Sequence, residues 1–461
     1  MIRRTVLSCV AVLVFCLFGS SARSEVFKDG EVVCFLGDSI THGGRYHGMI
    51  YDYYLTRFPN RTIKFVNAGV SGDSAGGALN RLEEDVISKK PTSVAIMLGM
   101  NDVGRGNYVA DPDEKRKAAQ KGALINYKAN MEKLSARIRA EAGEPKLLFI
   151  TPSPFDQTCV NDRGNNQPGC NDGLGRCAEI VRELAEKNKG TLVDFHGPMT
   201  AFNLEHQKQD NKFTIVGPDR VHPGLPGHLM MAWLFLKTQG APAVVSKVVV
   251  DAAAGKAVEC VNAEVTAVTK NEKVLSFTVL EKALPFPVVS GARTVMEFLP
   301  IEKDLNQEIL QFTGLAEGAY ELKIDDAPAG SFLSAMLGQG INLAFNDACP
   351  QYKHAQNVAE LNEKRRSTET QVRNLLSVRR YMKNHHKIDP DDPAAVQAHY
   401  DKMTDKKSYG AVMTLNYIKN WQRYGEFVQQ VSEFEQQVHA NRNPVPHTYT
   451  LSFVPPVAGK K

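Results

Sequence analysis

The 461-residue chain carries 55 Lys and Arg against 51 Asp and Glu, with 43% apolar and 23% charged residues. That length suits two or three domains, and the apolar fraction supports a sizeable core, which excludes wholesale disorder. The net charge of +4 falls to +1 once Arg3, Arg4 and Arg23 leave with an N-terminal segment, so charge gives no argument for a nucleic-acid partner.

That segment, MIRRTVLSCVAVLVFCLFGSSARS, reads as an export signal over residues 1–24. Arg3 and Arg4 form a basic end, Val6 to Phe18 an apolar run, and Ala22 and Ser24 an A-x-S cleavage site before Glu25. The run is too short for a comfortable membrane span, a retained anchor being the alternative. Phe15 before Cys16 is too large for a lipoprotein site. No later apolar stretch can span a bilayer. The expectation is an exported protein, periplasmic or extracellular, with no membrane span after signal removal.

Six cysteines follow the signal. Export permits disulfides. Cys159, Cys170 and Cys177 share one Gly/Asn/Asp-rich loop, where one loop-closing bridge is expected. Spacing assigns no pairing, nor a partner for Cys260 or Cys349. Zinc is the weaker reading, because the loop has no C-x-x-C and no His. Cys34 sits in an apolar strand and reads as a buried thiol.

To about residue 240 the pattern alternates strand and helix. Short apolar runs at 32–36, 63–70, 93–98, 146–151 and 191–195 predict strands. Amphipathic stretches lie between them, such as 127–140 with Met131, Leu134 and Ile138 at helical spacing. A last helix is predicted over 227–236. This alternation implies a mostly parallel sheet covered on both faces. After residue 245, runs at 274–281, 308–315 and 319–326 alternate apolar and polar residues between Gly-, Pro- and Asn-rich turns, the pattern of an antiparallel β unit. From 354 to 442 the chain reads as charged helix. Within it, Val412, Leu415, Ile418, Trp421, Val428, Val431 and Val438 form a face expected to pack on the β unit. Residues 447–456 add a final strand.

In an open parallel sheet, ligands bind beyond the carboxyl ends of the strands. After the first strand comes Gly37-Asp38-Ser39; after the second, NAGVSGDS at 67–74; after the third, LGMND at 98–102. PDRVHP at 218–223 closes the α/β half. Ser39 needs a base to become a nucleophile, and His222 can serve. Asp219, three residues earlier, can reach the other ring nitrogen and stabilise the imidazolium. The N–H groups of Ser39 and Gly72 and the amide of Asn101 are candidate oxyanion donors, one such donor contributing about 3–4 kcal/mol in the transition state. Singly, each motif reads as a turn, a cap or half a metal site.

Together, in this order, they resemble the SGNH hydrolases, also called the GDSL esterase/lipase family. Its four blocks match Ser39 in Gly-Asp-Ser, Gly72, Asn101 in Gly-Met-Asn-Asp, and Asp219 with His222. The resemblance covers residues 25–240. It implies a flavodoxin-like three-layer α/β/α sandwich and hydrolysis of oxygen esters without metal or organic cofactor. The second half is similar in texture to β-sandwich appendages of secreted hydrolases. The expected organisation is a hydrolase domain at 25–243, a β-rich domain at 244–350, and a charged helical segment with a final strand at 351–461, packed on the β-rich domain.

Around the site, Asp38 is expected to orient the Ser39 turn. His42, Tyr46 and Arg105 are expected in its support or in the pocket wall. His42 with His47 as a metal pair is disfavoured, since no carboxylate cluster completes a shell. The charged stretch from Arg105 to Lys121 reads as a surface loop. The expected function is a secreted serine esterase acting on acetyl or other short-chain esters, of carbohydrates or other polyols. Lysophospholipase or thioesterase chemistry, or a non-catalytic carbohydrate- or surface-binding protein, are the alternatives. No GxGxxG or GxxxxGK[ST] supports a nucleotide binder.

Overall fold

The computed structural model describes residues 25–455, so the expected export signal at 1–24 lies outside the described residues. Strands β1 (Val32–Gly37), β2 (Lys64–Gly69), β3 (Ser93–Met97), β4 (Lys146–Ile150) and β5 (Thr191–Val193) form one parallel sheet. Their order, β2-β1-β3-β4-β5, is that of a flavodoxin-like doubly wound sheet. The strands are apolar on both faces because both faces are covered. Val33, Phe35, Ala95 and Leu148 meet Tyr46, Ile50 and Phe235 on one side. Cys34, Leu36, Ile96 and Phe149 meet Met131, Leu134 and Leu174 on the other. Alternate side chains thus enter opposite layers, giving the expected α/β/α sandwich.

One helix is longer than its apolar spacing suggests. It runs from Glu114 to Glu141, so residues 114–121 of the charged stretch read as loop are its first two turns. Asp113 caps it, accepting the Arg116 N–H at 2.8 Å.

The second half holds β6 (Val244–Asp251), β7 (Lys256–Val261), β8 (Ala263–Lys270), β9 (Val274–Glu281), β10 (Gln307–Thr313), β11 (Ala319–Ile324), β12 (Ala327–Leu333), β13 (Ile341–Asn342) and β14 (His447–Val454). Two sheets, β13-β10-β6-β7 and β12-β11-β14-β9-β8, enclose a core that includes Val250, Phe277, Phe312, Leu322 and Leu451. The pairing is antiparallel except between β6 and β10, which run parallel. Strict in-out alternation in β9 and β11 explains why the sequence pattern showed them.

The helical segment departs from expectation. Its first helix, Pro350–Tyr381, places Tyr352 in the β core but then crosses the α/β half, where Ala355 and Val358 join the core around Tyr54 and Phe235. The 412–438 face is broken into helices Tyr409–Asn420 and Tyr424–Asn441 around a turn at Trp421–Arg423. Both helices pack on Pro350–Tyr381 rather than on the β unit. Val412 and Val428 are exposed, and Val438 is buried.

The halves share a core. Leu284, Phe286, Val295, Ile301 and Leu305 pack with Tyr53, Tyr54 and Phe235. Buried Arg57 donates to the carbonyls of Pro242 (2.7 Å), Val244 (3.0 Å) and Leu305 (3.0 Å). The expected bridge among Cys159, Cys170 and Cys177 is not formed: all six cysteines of the described residues are free thiols. Cys170 and Cys177 lie two turns apart on helix Cys170–Lys187, about 10 Å along its axis and beyond disulfide reach. Cys159 Sγ instead meets the Lys212 carbonyl at 3.4 Å.

Candidate active site

The site forms where β1, β2 and β3 end. Gly37 ends β1; a Cβ there would lie 2.2 Å from Thr41 Oγ1 and 2.7 Å from the Met97 carbonyl, so only glycine lets the chain turn this tightly into the helix Ser39–His42. Asp38 caps that helix, its Oδ1 accepting the Ile40 N–H at 3.0 Å. Burial pushes the Asp38 carboxyl up to about 6. Ser39 itself is half-buried.

The partner turn arrives from the chain before helix Leu225–Thr238. Ser39 Oγ lies 2.7 Å from His222 Nε2, and His222 Nδ1 lies 2.6 Å from Asp219 Oδ2. Asp219 Oδ1 accepts the N–H groups of Val221 (3.1 Å) and His222 (3.0 Å). Burial raises the Asp219 carboxyl, but hydrogen bonds from the His222 backbone and ring and from Val221 outweigh it and leave it below its ordinary value. An ionised carboxylate at Nδ1 keeps the proton there, which leaves Nε2 to accept from the Ser39 hydroxyl.

Arg220 locks this turn, a role that no sequence motif marked. It adopts a left-handed φ of +66°. Its guanidinium donates to the carbonyls of Asp156 and Cys159, each at 2.7 Å, and to Asn165 Oδ1 at 3.0 Å. The Cys159 loop therefore serves as a socket for the Asp219–His222 turn.

The predicted oxyanion donors surround the same strand ends. Gly72 is exposed with φ of +78°, a conformation that favours glycine, and nothing stands within 4 Å of where a Cβ would be. Asn101 Nδ2 donates to the Asp73 carbonyl at 2.8 Å, which fixes the amide beside Gly72 and leaves its second N–H free. Among the described residues no acceptor takes the Ser39 or Gly72 N–H. Asp102 Oδ1 accepts the Ala75 N–H at 2.8 Å, tying the third strand end to the second.

The other predicted neighbours stand behind the site. His42 is buried, its Nδ1 accepting the Ser71 N–H at 3.1 Å. Burial, with the Arg373 and Arg81 charges, pushes its imidazole down to about 3, so it is a neutral strut for the Gly72 loop. Tyr46, expected near the pocket, is fully buried in the core, its hydroxyl 3.1 Å from Thr41 Oγ1. Arg105 is half-buried with no ion-pair partner among the described residues, and its charge acts on Asp38. His47 stacks on Phe35 inside the core at 4.8 Å. Among the described residues no group of three or more His, Cys, Asp or Glu is placed for a metal ion, and no helix is long and apolar enough to cross a membrane.

A buried ionic hub beneath the loops was invisible in sequence. Arg81 bonds Asp73 (2.6 Å), Asp85 (2.8 Å) and the carbonyls of Ala68 (2.6 Å) and Gly37 (3.0 Å). It thereby joins the residue before Asp38 to the residue after Gly72. Arg373, from the distant C-terminal helix, bonds Asp85 and the Gly69 carbonyl from the other side.

Fold and strand-end cluster together define the class. Residues 35–230 form a domain of the GDSL-like lipase/acylhydrolase family, and the chain is a carboxylic ester hydrolase. An acetylxylan esterase of Geobacillus stearothermophilus is 29% identical over 226 residues, spanning 46% of this chain and 94% of that one. A solved structure of that acetylxylan esterase is 27% identical with a TM-score of 0.37, covering 46% of this chain and 95% of its own. The structure of a gut microbial diltiazem-metabolizing enzyme is similar along almost the whole length. It is 30% identical with a TM-score of 0.86, covering 94% of this chain and 100% of that chain.

Proposed function

We propose that this hydrolase is an exported serine esterase that removes acetyl or other short acyl groups from carbohydrate esters, with Ser39 as nucleophile, His222 as base and Asp219 as its partner. The observation that carries the reading is the pair of contacts through one imidazole, 2.7 Å to Ser39 Oγ and 2.6 Å to Asp219. Ser39 Oγ attacks the ester carbonyl carbon while its proton passes to His222 Nε2. The carbonyl oxygen becomes an anion facing the N–H groups of Ser39 and Gly72 and the Asn101 amide. Collapse breaks the bond to the alcohol, which leaves with the proton from His222. Water then attacks the acyl-enzyme, giving its proton to His222, and the carboxylic acid departs as Ser39 regains its hydrogen.

Two features support a carbohydrate ester: the likeness to an acetylxylan esterase, and a site open to bulky substrates, the His222 side chain being 50% exposed. A second reading, an ester of a small aromatic molecule, is supported by the likeness to a diltiazem-metabolizing enzyme. The test is acetate release from a panel of acetylated glycans, acylated lipids and acetylated small molecules, run beside Ser39→Ala. Release confined to lipids or small molecules would reject the carbohydrate reading. Export rests on the basic, apolar and small-residue pattern of residues 1–24. N-terminal sequencing of the protein from cell fractions should find it outside the cytoplasm and starting at Glu25.

A further inference from the structure

We propose that the C-terminal helices, outside the family-matched region, build the subsite that holds the sugar-like alcohol portion of the ester. The inference rests on the esterase reading and extends it to a part of the chain that the family match, ending at residue 230, does not reach. A cleft of about 740 Å³ opens beside Gly72. One wall is the loop after β2, residues 70–73, with Gly77, Asn80 and Arg81 of the segment that follows. The other wall comes from residues 377–385 and 409–414. A proposed oxyanion donor and a distant helical unit therefore share one cavity. That volume is in the range of small-molecule sites and far exceeds an acetyl group, so it suits the alcohol side of the scissile bond.

The lining matches a neutral ring with hydroxyls. Tyr381 and Tyr409 are 46% and 62% exposed, and with Met413 they offer apolar surface for the C–H face of a sugar. Ser377 Oγ is enclosed with no hydrogen-bond partner, and no partner among the described residues takes the side-chain amides of Asn80 or Asn384. The two amides are available to hydroxyls of a ligand. The cations are already neutralised: Arg380 meets Glu84 at 2.9 Å and Asp85 at 3.1 Å, and Arg81 meets Asp73 and Asp85. A cleft of this kind has no unpaired guanidinium for a phosphate headgroup or a uronate.

The test uses the full chain carrying Tyr381→Ala, Tyr409→Ala or Asn384→Ala. Each is assayed on p-nitrophenyl acetate, an acetylated xylo-oligosaccharide and an acetylated aryl-alkyl alcohol. The expected result is a fall of about tenfold or more in kcat/KM on the oligosaccharide, carried by KM. Turnover of p-nitrophenyl acetate and the melting temperature should hold within about twofold and about 2 °C. Unchanged oligosaccharide kinetics, or an equal fall on p-nitrophenyl acetate, would overturn the subsite. A fall confined to the aryl-alkyl ester would overturn its sugar assignment. Failure of the wild-type protein to cleave any ester or to react with a phosphonate would instead overturn the esterase reading beneath it.

Discussion

Arg373 of the C-terminal helix grips Asp85 of the α/β half with two buried hydrogen bonds, 2.9 Å to Oδ1 and 3.1 Å to Oδ2, across 288 positions of sequence. Burial raises the Asp85 carboxyl, but the Arg373 hydrogen bond and the charges of Arg373, Arg81 and Arg380 overwhelm it and hold the carboxyl far below its ordinary 3.8. Breaking a buried pair on one side leaves a charge uncompensated, so Arg373→Ala should cost about 3–5 kcal/mol. A depressed carboxyl adds stability that is complete above its unfolded value and lost as pH falls below it toward the folded one. The gap between wild type and variant, measured by denaturant unfolding, should therefore be widest near neutral pH and shrink below pH 3.8. A gap that does not change with pH would argue that Arg373 acts through packing alone.

Ser39→Ala should lower turnover of p-nitrophenyl acetate by roughly 10⁴-fold or more while leaving the fold unchanged by circular dichroism. The same variant should lose labelling by an organophosphonate. Labelling that persists would assign the nucleophile elsewhere.

Asn101→Ala removes one proposed oxyanion donor, so kcat should fall about 10²–10³-fold with little change in KM. Because the amide also braces the Asp73 carbonyl, the melting temperature of Asn101→Ala is the control for a merely structural loss and should stay close to wild type. Stopped-flow measurement of acylation should place the loss in the chemical step.

Asp102 carries the opposite pH signature to Asp85. Its Oδ2 is enclosed without a partner, and burial pushes the carboxyl up to about 7, against the Ala75 hydrogen bond. The folded state thus holds a proton that the unfolded state releases between 3.8 and about 7, and stability falls as pH rises through that window. Asp102→Asn keeps an acceptor for Ala75 and cannot ionise. Relative to wild type it should gain up to a few kcal/mol between pH 5 and pH 8, read as a rise in melting temperature. An unchanged difference would show that Asp102 is solvated.

Three members of the candidate site were legible because each follows the end of a predicted strand, and parallel sheets gather strand ends in one place. Ser39, Gly72 and Asn101 sit where β1, β2 and β3 stop, and Asp219 and His222 share a single turn. What supports them was not legible. Arg220 is an ordinary charged residue in sequence, and only its insertion among the Asp156 and Cys159 carbonyls shows its role. Arg373, Ser377 and Tyr409 meet the α/β loops across some 300 positions, and no local periodicity encodes such a meeting. The start of the helix Glu114–Glu141 was hidden because its first turns are charged and solvent-facing.

The common core of the two halves closes off trimming as a route to a smaller catalyst. A chain cut near residue 243 would bare the rings of Tyr53 and Tyr54 where Leu284, Phe286 and Leu305 now lie, and strand Arg57 without two of its three carbonyls. It would also strip the brace from beneath Gly69. Recombinant production of this hydrolase should keep both halves, and chimeras should swap the far wall of the cleft one side chain at a time.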